Sequence, residues 1–303
     1  MTLLQINASA GGLPETFVFW FGLAVSTALG AIIGSFLNVV IHRVPREESI
    51  VFPNSRCPAC GAAIRPYDNV PVISYLVLRG RCRACGARIS PRYPAVEALT
   101  ALLFAVVFLH AALGPAPRLD LTFFASLLFD FAFVAALVAL IFIDAEHMLL
   151  PNAITYPGIA LALVARALVP NTYGVGFLAE GALAGQPAWL VSLAGALVGA
   201  LVGGGTLWLV GWLWERLRGV EAMGLGDVKM MFMVGAYLGW PLTVLTIFLG
   251  VLTGSVVGVA LMLRRGQSDL KMLLPFGIFL GLGALISLLF GASIVAWYVG
   301  QFQ

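Results

Sequence analysis

Two aspartates and four cysteines of this 303-residue chain have types and spacings suited to chemistry. Asp144 ends an apolar stretch in FIDAEHMLLP, and Asp227 precedes another apolar stretch in GLGDVK. A carboxylate at the edge of a hydrocarbon layer is costly, so each of the two needs a partner or a function. The cysteines form the pattern C-x2-C-x21-C-x2-C, at Cys57, Cys60, Cys82 and Cys85. The sequence therefore offers a carboxylate pair for acid–base chemistry and four thiols for a metal ion.

Two carboxylates held close together cannot both ionise easily, so one keeps a proton while the other is charged. The charged group can take a proton from an attacking water, and the protonated one can polarise a peptide carbonyl or protonate a leaving amine. Gly224 and Gly226 remove side chains where a substrate backbone or a neighbouring helix must approach. Lys229 could raise the local potential or meet lipid phosphates. The simpler alternative is that Asp227 caps a helix while Asp144 marks where a helix meets water.

The cysteine pattern is typical of a tetrahedral zinc site built from two CxxCG turns, because each turn supplies two thiolates and a glycine that lets the chain reverse. A loop of about 50 residues has too small a core to fold unaided, so a metal would stabilise it. The alternatives are a redox dithiol pair and two disulfides. Stable disulfides are rare in the cytoplasm, and redox CxxC motifs accompany a βαβ pattern that the sequence lacks. We expect a closed, structural zinc site.

The elements that position these groups are membrane helices. The chain is 61% hydrophobic and 10% charged with a mean hydropathy of +1.00, whereas soluble domains are about 25% charged. Apolar runs of about 18 residues or more indicate transmembrane helices. The predicted fold class is an all-α polytopic membrane protein with about eight transmembrane helices and a small cytoplasmic zinc-binding loop. The predicted spans are 17–41, 95–113, 121–143, 153–169, 188–214, 228–240, 242–263 and 273–299.

The count of spans puts both aspartates on one face, because the fourth and fifth spans lie between them. Fifteen of the 17 Lys and Arg residues fall on that same side, nine of them within 42–94. The positive-inside rule makes this side cytoplasmic and puts both termini outside. The net charge of +3 thus reflects topology and gives no nucleic-acid signal. The first span is too long for a signal peptide and is expected to remain as an anchor.

Several motifs in this order resemble those of the type IV prepilin peptidases, bifunctional leader peptidases and N-methyltransferases of the GxGD aspartyl protease group. Asn152 departs from the pattern, since many relatives have Asp there. The motifs of this sequence that carry the resemblance are GSFLNVVIHRVP (34–45), CPACG, CRACG, SPRYPAVE (90–97), IDAEHMLLPN, GLGDVK and PFG (275–277).

This resemblance implies that the leader of type IV prepilins and of type II secretion pseudopilins is cut at the cytoplasmic edge of the inner membrane. The new N-terminal residue would then be methylated with S-adenosylmethionine. Asp144 and Asp227 would be the protease pair and the four cysteines the zinc ligands. The partners would be these substrates and the lipid bilayer, with no nucleic acid. The implied division is an external N-terminus and first span (1–41), a cysteine module linked to methyl transfer (42–94) and a protease domain (95–303).

The methyltransferase site is the least determined, because no GxGxxG fingerprint marks a cofactor pocket. Weak candidates for it are Asn38, Arg43 and Glu97; Arg43 could pair with a carboxylate, and Glu97 could receive the new amino terminus. Two alternative functions stay open, a GxGD membrane protease without methyl transfer and an ion-coupled transporter or zinc scaffold. Transporters commonly have internal repeats, which are absent from the sequence. Asp130, inside the third span, has no explanation from sequence.

Overall fold

A computed structural model describes residues 15–114, 120–171, 173–219, 224–265 and 274–301. Nearly all regular structure in these ranges is helical, and two isolated β-bridges supplement it. Three parts of the sequence-based predictions lie outside the described residues: the N-terminal residues 1–14, Lys271 and residue 273, where the eighth predicted span begins. The helices are α1 (Glu15–Arg43), α2 (Ile73–Val77), α3 (Arg92–Ala112), α4 (Leu121–His147), α5 (Asn152–Leu168), α6 (Gly176–Glu180), α7 (Ala188–Ala200), α8 (Thr206–Arg218), α9 (Leu225–Leu238), α10 (Trp240–Arg265) and α11 (Phe276–Val299).

The predicted all-helical membrane architecture is confirmed, since each of the eight predicted spans is helical. Six helices of the described chain are long and apolar enough to cross a bilayer, including the continuous segment 188–218. Asn152–Leu168 is a shorter apolar helix of 17 residues, and α9 has only 14. A typical span of the hydrocarbon core has about 20 residues, so length and hydropathy alone do not identify α9 as a span.

The glycine-rich stretch 195–205 of the fifth predicted span is a helix-packing surface, because its small residues allow close approach. Between α7 and α8 the helix widens into one π-helical turn, Leu201–Gly205. A Cβ atom added to Gly199 would lie 2.2 Å from the carbonyl oxygen of Gly235, and one added to Gly203 would lie 2.3 Å from that of Met231. Backbone therefore meets backbone between α7 and α9, which fixes the helix that carries Asp227.

The contacts divide the chain into two compact units. One comprises residues 1–38 and 54–123, and the other comprises 39–53 and 124–303. The first holds α3 and the cysteine module, and the second holds α4 to α11 with both aspartates. The functional division predicted from the sequence cuts the chain at other residues and stays a prediction.

A single residue separates α9 from α10. Gly239 has a φ of +82°, a backbone conformation that favours glycine. Pro241 lies in the first turn of α10, where its missing amide costs no helical hydrogen bond. Gly239 thus makes the tight reversal between α9 and α10.

Candidate active site and metal centre

Asp144 lies in the last turn of α4 and is only 5% exposed. The helix continues to His147, four residues beyond the end predicted from the apolar run. The alternative that Asp144 marks where the helix meets water is therefore wrong, because this carboxylate is covered by protein. A buried carboxylate needs hydrogen-bond donors.

Those donors come from the start of α11. The amide of Ile278 donates to Oδ2 of Asp144 over 3.1 Å, and the amide of Gly277 also interacts with this carboxylate. The free amides of a helix N-terminus form a natural binding site for a negative charge. A Cβ atom on Gly277 would lie 2.8 Å from Oδ2, so only glycine lets α11 approach this closely. The PFG motif belongs to the family resemblance, but its residue types alone give no signal that its backbone holds Asp144.

Asp227 is the third residue of α9 and is half-buried. The N-cap of α9 is Gly224, and no side chain caps it by a hydrogen bond. The alternative reading of Asp227 as a helix cap is therefore wrong. The carboxylates of Asp144 and Asp227 are close enough for their charges to interact.

Leu150 connects the segments that carry the two aspartates. It belongs to the connection between α4 and α5, six residues after Asp144. A Cβ atom on Gly226 would lie 3.0 Å from Cβ of Leu150, and one on Gly277 would lie 3.2 Å from its Cδ1. Gly226, which precedes Asp227 in the chain, and Gly277, which packs against Asp144, thus contact the same leucine. This shared contact holds the two aspartates near each other. Gly224, by contrast, has open space around it among the described residues.

Lys229 lies two residues after Asp227 and is bound by α5. Its Nζ atom donates to Oδ1 of Asn152 over 2.9 Å and lies 5.5 Å from the centre of the Tyr156 ring. Asn152 is the residue that departs from the family pattern, and here it is the acceptor for a lysine beside the carboxylate pair.

Asp130, which the sequence alone left unexplained, has a hydrogen-bond partner in the structure. The hydroxyl of Tyr237 donates to its Oδ1 over 2.7 Å, and the Tyr237 ring stacks on Phe133 at 4.1 Å. The buried Arg166 donates to the carbonyl oxygens of Tyr237 and Asn171. This polar network joins α4, α5 and α9. Asp130 lies 14 residues before Asp144 on the same helix, about 21 Å along its axis, so it belongs to a separate site.

The four cysteines meet in the folded module. Their sulfur atoms all lie within 4.8 Å of one another, and Sγ of Cys57 is 3.9 Å from Sγ of Cys85. Tetrahedral zinc with bonds of about 2.3 Å separates its sulfur ligands by about 3.8 Å, whereas a disulfide bond is about 2.05 Å long. All four cysteines are free. The thiols therefore fit a tetrahedral zinc ion, and the disulfide alternative is wrong for this structure.

Two matching turns hold the thiols. The amide of Cys57 donates to Ala62, and that of Cys82 donates to Ala87 in the second turn. The glycines that follow each pair, Gly61 and Gly86, have φ values of +70° and +71°. The amides of Cys60 and Ala59 lower the pKa of Cys57 to about 7, which favours the thiolate that zinc needs.

Cys85 differs from Cys57 in its surroundings. The pKa of this thiol is raised to about 11. The amide of Ala87 lowers it, but hydrogen bonding with Cys60, burial and hydrogen bonding with the other two cysteines together have the larger, opposite effect. Four close thiols cannot all lose their protons without a cation to balance the charge. The cluster therefore favours occupation by a metal ion.

The comparisons with known proteins agree with this site. Residues 28–111 match the Bacterial Peptidase A24 N-terminal domain, and residues 131–259 match the Type IV leader peptidase family. A prepilin leader peptidase/N-methyltransferase of Pseudomonas aeruginosa is 36% identical over 89% of this chain and 91% of its own length. Proteins of the same name from Aeromonas hydrophila and Pseudomonas putida are 37% and 38% identical, over 97% and 90% of this chain.

The chain belongs to the type IV leader peptidase family. Both aspartates lie within the part that matches the leader peptidase family, and all four cysteines lie within the part that matches the N-terminal domain. Pro275 to Gly277 lie beyond both matches, so the donors to Asp144 come from outside them. No solved structure matches the chain.

The three candidate residues for the methyltransferase site all form hydrogen bonds with backbone groups. Asn38 is buried and its amide donates to the carbonyl oxygen of Tyr93 over 3.0 Å. Glu97 accepts a hydrogen bond of 2.7 Å from the amide of Val72. Arg43 donates to the carbonyl oxygens of Ser49 and Pro53. Within the described residues Arg43 thus binds carbonyl groups, and its pairing with a carboxylate stays a prediction. Their assignment to the methyl donor stays a prediction.

Proposed function

We propose that this chain removes the leader peptide from type IV prepilins and type II secretion pseudopilins and then methylates the new N-terminal residue with S-adenosylmethionine. The observation that carries the proposal is the interaction between Asp144 and Asp227, which come from different helices within the residues that match the leader peptidase family. A paired carboxylate beside glycine-lined backbone is suited to peptide hydrolysis.

In the proposed mechanism, one carboxylate is ionised and takes a proton from water while the water oxygen attacks the scissile carbonyl carbon. The protonated carboxyl group donates a hydrogen bond to the carbonyl oxygen. As the C–N bond breaks, the leaving amine receives the proton that the other carboxylate took from the water, so the pair again shares one proton. The amide of Ile278 holds Asp144 in position. Positioning matters because an error of about 1 Å can cost about 100-fold in rate.

The cysteine module has a different role in the proposal. Its four thiols would hold a zinc ion, which stabilises the fold of a segment with a small core when it is bound. S-adenosylmethionine supplies the methyl group. Asn38, Arg43 and Glu97 are the proposed contacts for the methyl-transfer step, and the cysteine module is proposed to support it.

We propose that the protease pair faces the cytoplasm and that both termini lie outside, in the inner membrane. The distribution of basic residues supports this orientation, since 15 of 17 fall on the side of the aspartates when eight spans are counted. The basic leader of the substrate would then reach the pair from the cytoplasm, while the following apolar helix stays in the bilayer.

Mass spectrometry of a purified prepilin incubated with the full chain tests the proposal, with and without S-adenosylmethionine. The wild type is compared with Asp144→Asn and Asp227→Asn, and the control is Asp120→Asn, an exposed aspartate whose Oδ1 accepts the amide of Phe123. We expect the wild type and the control to remove the leader and to add one methyl group (about 14 Da). Each active-site variant should cleave about 10²- to 10⁴-fold more slowly.

Two results would contradict the proposal. Full cleavage by either active-site variant would exclude the carboxylate mechanism. Cleavage without methylation, by protein that retains its zinc, would favour the alternative of a membrane protease without methyl transfer.

A further inference from the structure

The cysteine module contains an open cleft of about 500 Å³ with an unusual charge. Three arginines, Arg79, Arg81 and Arg88, line it together with Tyr75 and Ser90. All three arginines are exposed, and their side chains form no hydrogen bond or ion pair within the described part of the chain. By contrast, Arg83 of the same module binds Asp68 through two nitrogens. The cleft therefore concentrates positive charge that the described chain leaves uncompensated.

Helix α2 beside this cleft is turned with its apolar side outward. Its Ser74 is buried, accepts the amide of Val70 and donates to the carbonyl oxygen of Tyr67. Its apolar residues Ile73, Leu76 and Val77 are 60%, 68% and 69% exposed. A module surrounded by water would show the opposite pattern, and an exposed apolar patch next to basic residues is typical of surfaces that bind membranes.

The level of the cleft relative to the bilayer follows from its neighbours. Ser90 and Pro91 line the cleft, and α3, which is long and apolar enough to cross a membrane, begins at the next residue. The amide of Val72, directly before α2, donates to Glu97 in the second turn of α3. Both the arginines and the apolar side of α2 are thus tied to the end of a membrane helix.

We propose that this cleft binds the phosphate of an anionic phospholipid headgroup, while Ile73, Leu76 and Val77 insert into the adjacent bilayer surface. Arginine suits the phosphate because its planar guanidinium group can donate two parallel hydrogen bonds. The apolar residues of α2 contact acyl chains and headgroup carbons, which a free phosphate ion lacks. Among anions of similar chemistry, the exposed face of α2 therefore favours the lipid.

Native mass spectrometry of the full chain in detergent, titrated with phosphatidylglycerol or phosphatidylcholine, tests the proposal. The cleft variant is Arg79→Gln/Arg88→Gln. The matched control is Arg216→Gln/Arg264→Gln, which removes the same charge from two exposed arginines elsewhere. Each cleft arginine would bind the phosphate by charge-assisted hydrogen bonds, so the cleft variant should lose at least about tenfold in phosphatidylglycerol affinity. The control should change less than about twofold, and phosphatidylcholine should bind weakly to all forms.

A second variant keeps the proposal testable if the first misfolds, and zinc content reports folding of the module. Leu76→Ser/Val77→Ser alters only exposed side chains and should weaken binding to phosphatidylglycerol vesicles while retaining zinc. Inorganic phosphate at millimolar concentration should displace the lipid only weakly. Equal lipid affinity of the cleft and control variants would overturn the proposal. Displacement by S-adenosylmethionine would also overturn it and would assign the cleft to the methyl donor.

Discussion

The amide of Ile278 donates a hydrogen bond of 3.1 Å to Oδ2 of Asp144, so the start of the last helix holds one carboxylate of the pair. The two residues are separated by 134 positions in the chain. Donors at a helix N-terminus stabilise the charge of this carboxylate by hydrogen bonds.

Gly277→Ala tests this relationship. The added Cβ atom would lie 2.8 Å from Oδ2 and 3.1 Å from Cγ of Asp144, so either the carboxylate or α11 must move. We expect the cleavage rate to fall at least about tenfold, because small displacements at a reacting centre are costly. Cleavage is measured with a prepilin substrate, beside the melting temperature in detergent.

The control for this change is Gly205→Ala, where an added Cβ atom meets nothing within 4 Å. It should leave both cleavage and the melting temperature unchanged. Wild-type cleavage by Gly277→Ala would show that the fit between α11 and Asp144 is not needed for the reaction.

The sequence predicts the site only in part, and the reason is the range of the interactions. Asp144 and Asp227 are recognisable because a carboxylate at the end of an apolar run is rare, and counting helices brings them to one face. Leu150 and the amide of Ile278 are invisible in the sequence, since a leucine in a connection and a backbone amide carry no chemical signal. Their roles depend on the packing of α11, which a motif alone does not define.

Gly235→Ala tests the close packing that fixes α9. The added Cβ atom would lie 2.1 Å from the carbonyl oxygen of Gly199, and backbone on both sides leaves no flexible side chain to yield. Overpacking of this kind costs about 1–3 kcal/mol, so the melting temperature should fall clearly. Gly205→Ala again serves as the control. An unchanged melting temperature for Gly235→Ala would mean that the two helices separate without cost.

The same contact explains which parts of the fold were predictable. Long apolar runs define α1, α3, α4, α10 and α11 almost to their ends, because length and hydropathy suffice to recognise a membrane helix. Helix α9 carries Met, Gly and Tyr over only 14 residues, and its apolar signal is weak. Its position depends on glycine contacts with α7, which hydropathy does not measure.

A double-mutant cycle on Asp130 and Tyr237 tests the polar network. Tyr237→Phe removes the donor to Asp130 Oδ1 and leaves a polar group without its partner, which costs about 1–3 kcal/mol. Asp130→Ala removes the acceptor, and the double variant should lose less stability than the sum of the single changes. Stability is followed by thermal unfolding in detergent. Strictly additive losses would contradict the hydrogen bond, and loss of cleavage at wild-type stability would contradict a purely structural role.

Cys57→Ser should impair zinc binding and methylation, whereas Asp144→Asn should impair cleavage, because the cysteines and the aspartates belong to different compact units. Cys57→Ser removes one of four thiols that fit zinc, so zinc content and methylation should fall strongly while cleavage persists. Asp144→Asn should lose cleavage and keep its zinc. Zinc is measured by atomic absorption on protein purified from membranes, and methylation is measured on a precleaved substrate. Complete loss of cleavage in a Cys57→Ser variant with wild-type membrane expression and thermal stability would contradict this division, because it would make the zinc module a part of the protease.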